Sequence, residues 1–485
     1  MTSWWHRARA ASAALALLAV SSVAGAAGQA TRPVAIEHAT ILTMSDAGRI
    51  DDGTIVWRGD RILAVGAARN VRVPRLAERI DGRGKFVMPP LADMHVHVEN
   101  DVLAQRMAAA GVKGQVTIDT QDVLLPYVAN GVLQIFNLSA GPDAKAQRDA
   151  VDAGTVLGPH IALAVMVDGD PPINVGMARV AATPEAGRSL VAEIAAGGYD
   201  AVKTYTNLSF ETFSAIVAEA RAHGLKVVGH LPLRQADRTA ELLQPGFGVV
   251  AHLEEFAYQS PSVTQDDIPR FTELAKRSGV WQITTLELNE RVVQMTRGSA
   301  ELGARPELRY VHPLTRGLWQ ANNRYAQSIQ LLPRREAVVR FNPVLLRALL
   351  HAGVPLMTGT DSLVAGVIGG FGLHDELEAL AAAGMPTAAI LEATTRVPAQ
   401  WLGVARDRGS LAAGKRADLL LLDADPLADV ANTRRLAAVV ANGRTLTRAE
   451  LDERMQALAD RYAALAPLFA ALPPAVADYD YGHDE

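Results

Sequence analysis

Short apolar runs recur through the middle of this chain, each followed by an Ala- and Leu-rich stretch with helical spacing. The runs lie near residues 89 to 97, 132 to 138, 161 to 167, 201 to 206, 226 to 231, 249 to 254, 280 to 286 and 355 to 361. Near-continuous hydrophobic strands alternating with helices are the signature of βα units around a parallel sheet covered on both faces. Eight such units predict a (β/α)8 barrel of the TIM type, and a doubly wound open sheet shares the same alternation. The polar residues that interrupt the runs lie near their C-terminal ends, where a barrel keeps its active site.

The two ends of the chain read differently. From Val34 to about Phe86 short β-rich runs alternate with turns, as in TIVWRGDRILAV (residues 54 to 65), where Gly59-Asp60 separates two apolar segments. ADLLLLDADP (residues 417 to 426) and LAAVVANGRTL (residues 436 to 446) repeat that style, with Asn442-Gly443 as a strong hairpin turn. We therefore expect residues 32 to 88 plus 408 to 446 to build one small β-sandwich module, residues 89 to 407 the barrel, and residues 447 to 485 a C-terminal helix and tail. RAELDERMQALADRYAALAPLFAAL is helical by spacing, is expected to end at Pro473-Pro474, and should dock on the outside. The final ADYDYGHDE, with His483, reads as a solvated tail. Between the seventh and eighth runs, residues 287 to 350 form a long insertion, either a lid over the active face or a helical decoration.

Composition narrows the class. At 485 residues, 49% hydrophobic and 20% charged, the chain has the balance of an ordinary globular protein. The formal net charge is −5 with no basic stripe, which argues against a nucleic-acid partner. Arg7 and Arg9, an apolar stretch from about Ala10 to Val20, and Ala24-Gly25-Ala26 follow one another in the order of a secretory signal peptide over residues 1 to 26. That apolar stretch is short of the roughly 20 residues that span a bilayer. With no cysteine there is neither a disulfide nor a lipid-bearing cysteine. The expected mature protein is periplasmic or secreted, off the membrane once cleaved, and able to form a homo-oligomer.

Candidate chemistry collects at the strand ends. His95 and His97 close MPPLADMHVH (residues 88 to 97), and on a strand such a pair points to one side. Lys203 sits inside the apolar DAVKTYT, where an unpaired ammonium is costly. It is either a snorkelling or salt-bridged lysine, or an amine of depressed pKa that takes up carbon dioxide to give a carbamate able to bridge two cations. His230 ends KVVGHLP and His252 ends VVAHLEE, as metal ligands or as hydrogen-bonded structural histidines. Asp361 ends PLMTGTD, as a ligand or as the N-cap of the next helix.

This ordered set, His-x-His, Lys, His, His, Asp, resembles the amidohydrolase superfamily, and more closely its imidazolonepropionase-like branch, which includes metal-dependent dipeptidases. The resemblance extends through GSLAAGKRADLLLLDADPLADVANTRRLAAVVANGR (residues 409 to 444) and GLHDELEALAAAGMPTAAILEATT (residues 372 to 395). It implies that His95, His97 and Asp361 hold the more buried of one or two divalent ions, zinc by preference. It further implies that His230 and His252 hold the second and that a carboxylated Lys203 bridges them. It also implies hydrolysis of a C–N bond in a small amide, dipeptide or cyclic amide, with Asp361 as catalytic proton acceptor. An esterase or lactonase, or a barrel that has lost turnover and serves as a scaffold, are the alternatives. One departure is Pro89-Pro90, where the family often has Pro-Gly.

Further residues carry smaller expectations. Tyr205 shares the strand face of Lys203 and is a candidate catalytic donor to substrate, or packs against the barrel top. Asp93 and His160 read as structural. His374 and Glu376 read as solvated or helix-capping, and Arg324 and Arg340 in the insertion as surface groups or partners of a substrate carboxylate.

Overall fold

The computed structural model describes residues 32–109, 118–298, 300–321 and 323–469, with the side chains of 106–109, 234, 236, 301, 302, 321 and 324 left aside. The expected signal peptide, Pro473-Pro474 and the acidic tail with His483 lie outside the described residues.

All eight expected barrel strands form, in chain order and all parallel: Leu91–Val96, Val132–Asn137, His160–Asp168, Ala201–Thr204, Lys226–Gly229, Val249–Val250, Trp281–Ile283 and Leu356–Met357. We number them first to eighth. The eighth strand returns to the first: Met94 N donates to Thr358 O at 2.9 Å and His97 N to Ser362 O at 2.8 Å. Asp93 stitches this seam. Its carboxylate accepts from His95 N at 3.2 Å, Thr360 N at 3.1 Å and Thr360 Oγ1 at 2.7 Å, which gives the structural role expected for it a mechanism.

Small side chains line the barrel interior, with Ala92, Ala162, Ala164, Ala201 and Ala251 beside Met94, Phe136, Ile283 and Met357. Eight strands leave an interior that side chains can fill. Trp401 plugs the lower end, its ring 5.5 Å from that of Phe136. Gly359 is required where the last strand crosses the first, since a Cβ there would stand 2.5 Å from Ile283 Cγ2 and 2.9 Å from His95 Cβ.

The chain ends form one mixed sheet of eight strands. Phe86–Met88 pairs with Leu419–Leu422, so the entry and exit of the barrel are hydrogen-bonded to each other. The two expected hairpins are present, with Gly59 and the Asn442-Gly443 pair at positive φ. Trp57 Nε1 reaches across to Gly443 O at 2.9 Å. The module meets the barrel floor through His160, which opens its strand as expected and lies 3.0 Å from Asp418.

The C-terminal helix Arg448–Leu465 starts at a capping box of Thr447 and Glu450 and packs on the helix Thr120–Ala129. It ends before the expected Pro473, because Pro467 has no N–H for the carbonyl of Ala463 and its ring crowds that turn. The long insertion is helical: Leu286–Thr296, Pro313–Ala321 and Leu332–Ala352 are its main helices. Among the described residues no helix is long and apolar enough to cross a membrane.

Candidate metal centre

Five strand ends deliver side chains to one buried focus. The pleat aims His95 and His97, two residues apart, at the same side, and the seam hydrogen bonds bring Asp361 opposite them. Asp361 Oδ1 lies 2.8 Å from His97 Nε2 and 3.2 Å from His95 Nε2. Its backbone takes a left-handed φ of 58° while its N–H donates to His95 O at 2.8 Å. A non-glycine residue held in that region is uncommon and is kept there by its surroundings. The next helix begins only at Phe371, so Asp361 is not its N-cap.

Lys203 Nζ stands 3.5 Å from His95 Nε2. The lysine is 1% exposed, and burial pushes its amine down to about 8 against the pull of Asp361, Glu255 and Glu254. Burial also holds His95 well below the usual imidazole range, with Lys203 adding to the effect and Asp361 opposing it. His252 brings its ring centroid to 4.5 Å from that of His95, and its Nε2 to 3.9 Å from Asp361 Oδ2. His230 follows, 5.0 Å from the His252 ring. Tyr205 stacks on His230 at 4.2 Å, and burial keeps its hydroxyl well above the ordinary phenol range. The six residues expected as ligands and Tyr205 are therefore brought together.

The imidazoles are oriented from behind. His97 Nδ1 is 2.7 Å from Ser139 Oγ, His230 Nδ1 is 3.0 Å from Thr206 Oγ1, and His252 Nδ1 is 3.0 Å from Thr285 Oγ1. Such contacts fix a tautomer that turns Nε2 towards the focus. The donor atoms of His95, His97 and Asp361 all lie within 4.8 Å of one another. Buried imidazole nitrogens and a carboxylate at this spacing are the N and O donor set that suits zinc and similar divalent ions.

A cleft opens over this focus, lined by Tyr205, His230, His252 and Asp361 on the barrel side and by Leu288, Asn289, Val292, Tyr325, Arg335 and Val338 from the insertion. The insertion thus roofs the mouth. Arg335, 4% exposed, is the cation that reaches the cleft, whereas Arg340 is exposed and the side chain of Arg324 is not described. Two acids that sequence reasoning passed over, Glu254 and Glu255, also line it. The only signal for them was their adjacency to His252.

His374 and Glu376 correct the sequence reading in part: both are buried rather than solvated, and Glu376 caps the first turn of another helix, Leu286–Thr296, rather than its own. His374 lies buried between Thr433 Oγ1 and Asn130 O, at 2.9 Å from each, and ties the module to the barrel. Glu376 accepts from Thr284 Oγ1 at 2.6 Å and Glu287 N at 2.8 Å, holding the insertion's first helix to the seventh strand.

A parallel eight-stranded barrel with His-x-His on its first strand and Asp on its last defines a class. Residues 86–446 match the Amidohydrolase family, and the chain belongs to it. The chain is accordingly a hydrolase that acts on carbon–nitrogen bonds. An imidazolonepropionase of Alkaliphilus metalliredigens is 40% identical over 58 residues, which are 11% of this chain and only 14% of that relative's length. A structure from Bifidobacterium longum provisionally described as a prolidase is 28% identical, with a TM-score of 0.63 over 90% of this chain and 100% of that one. A Xaa-Pro dipeptidase with bound methionine in its active site shares the fold, with 19% identity and a TM-score of 0.64 over 86% of this chain and 100% of that one.

Proposed function

We propose that this protein is an exported, metal-dependent hydrolase that cleaves the C–N bond of a small amide, with dipeptides and acylated amino acids as the leading substrates. The observation that carries the proposal is the convergence of His95, His97 and Asp361, with Lys203, His230 and His252 around them, beneath one cleft that Asp361, His230 and His252 line. His95, His97 and Asp361 would hold one divalent ion, zinc by the nature of the donors, with Lys203 between it and a second ion on His230 and His252. When bound, such ions supply a water of lowered pKa and polarise the substrate carbonyl.

The chain's own residues do the rest. Lys203, whose amine burial brings down to about 8 and so frees more readily than an ordinary lysine, adds carbon dioxide at Nζ and releases one proton, turning an amine into a carbamate ligand. Asp361 takes the proton that the attacking water sheds and delivers it to the departing nitrogen, which then leaves as a neutral amine. Tyr205 offers a hydroxyl from the cleft wall to a substrate carbonyl or carboxylate. The resemblance in fold to dipeptidase structures supports the same class. Export is supported by the order of charged, apolar and small residues over residues 1 to 26.

A panel of dipeptides, N-acyl amino acids and lactones, run with metal analysis of the purified protein, tests the assignment. Turnover of the amides with bound divalent metal is expected, and a metal-free, inert, well-folded protein refutes it. Mass measurement of the protein recovered from the periplasm or medium tests cleavage near Ala26.

A further inference from the structure

The histidines of the fifth and sixth strands are backed differently from His97. His230 Nδ1 faces Glu255 Oε1 at 3.3 Å as well as Thr206, and His252 Nδ1 faces Glu254 Oε1 at 3.4 Å as well as Thr285. His97 Nδ1 meets the neutral hydroxyl of Ser139. Both carboxylates are fixed by a second bond. Glu255 Oε2 accepts from Leu231 N at 2.7 Å, and Glu254 Oε2 from Asn289 Nδ2 at 2.9 Å. They are 3% and 4% exposed, so neither is a surface charge that merely happens to be near.

Their placement follows from the chain. The helix Glu254–Tyr258 begins two residues after His252, and consecutive helical residues point about 100° apart. One glutamate therefore turns back to the histidine of its own strand while the next reaches across to the histidine of the neighbouring strand. A carboxylate behind an imidazole fixes the tautomer in which Nε2 carries the lone pair, and raises the basicity of that nitrogen towards a cation.

We propose that Glu254 and Glu255 are positioning residues that build a second cation site on His252 and His230, a site whose retention of its ion depends on this carboxylate pair. The proposal rests on the metal-dependent reading above. It makes the two halves of the centre unequal. Removing a carboxylate empties the His230 and His252 side and leaves the ion held by His95, His97 and Asp361 in place.

The test uses the full chain loaded with zinc, dialysed, and analysed for metal per folded protein. Wild type is expected to retain two ions. Glu254→Gln and Glu255→Gln, which keep side-chain shape and act on different histidines, should each retain one, with affinity for the second ion lowered about 10–100-fold. Ser139→Ala should leave the second ion in place. Full retention of both ions by both glutamine variants overturns the proposal, as does a wild type that binds a single ion. A wild type that binds none refutes the metal reading itself. If either variant fails to fold, cobalt-loaded wild type still decides, because two solvent-exchangeable, paramagnetically shifted N–H resonances from His230 and His252 are expected and their absence overturns the proposal.

Discussion

Asp93 offers the sharpest check on how the centre is held. It is fully buried and accepts three hydrogen bonds, from His95 N, Thr360 N and Thr360 Oγ1, at the line where the first strand meets the last. In Asp93→Ala those donors lose their acceptor. The two from Thr360 keep a longer contact to His95 O, 3.4 Å in each case, so they lose only part of their bonding. At about 1–3 kcal/mol for the His95 donor left wholly short and about half that for each Thr360 donor, the substitution should cost about 2–6 kcal/mol. Asp93→Asn should cost only about 1 kcal/mol, since the amide oxygen still accepts from the backbone and the Thr360 hydroxyl can turn to accept from the amide nitrogen. Chemical denaturation midpoints give the comparison, with metal content measured on the same samples because this seam also sets His95 against Asp361. If alanine proves as harmless as asparagine, or asparagine as damaging as alanine, the seam does not work through these hydrogen bonds.

Asp361→Asn and Lys203→Met should each abolish turnover while leaving circular dichroism and gel filtration unchanged, and an active Asp361→Asn protein would remove Asp361 from the proton transfer. Chelation should eliminate activity and a divalent ion restore it, whereas activity that survives complete metal removal contradicts the proposed chemistry. Burial raises the Glu376 carboxyl to about 7 from an ordinary 4.5, so its contribution to stability is fully present below about pH 4.5 and is lost as pH rises through 7. Glu376→Gln should therefore flatten stability across that window by about 3 kcal/mol, read as melting temperature against pH, and parallel curves for the two proteins would refute it. Tyr205→Phe should raise KM or lower kcat by about tenfold if its hydroxyl meets the substrate, and unchanged kinetics would mark it as packing alone.

Much of this was legible in the sequence because barrel strands buried on both faces must be continuously apolar, so any polar residue inside one stands out. His95, His97, Lys203, His230, His252 and Asp361 were visible for that reason. Glu254 and Glu255 were not, because acids in the first turn of a helix are ordinary, and only the crossing of that helix over the strand ends buries them. Arg335 and Arg340 are five residues apart on one helix, about 140° around its axis, and sequence spacing did not say which face the barrel would claim. His374 and Glu376 read as exposed because the module and the insertion that cover their helix come from distant parts of the chain. Pro467 was readable too, but the helix end was assigned to the Pro-Pro pair beyond it.

The centre draws on the first and the last barrel strand, so its donors are separated by nearly the whole barrel. While the chain is being made, His95 and His97 emerge long before their carboxylate partner. No nascent or truncated polypeptide that stops short of Asp361 can assemble the trio, however well its earlier strands have paired. Under the proposed metal chemistry, loading would be tied to completion of the circle, and a chain interrupted during synthesis would leave its early histidines without the grip needed to sequester an ion.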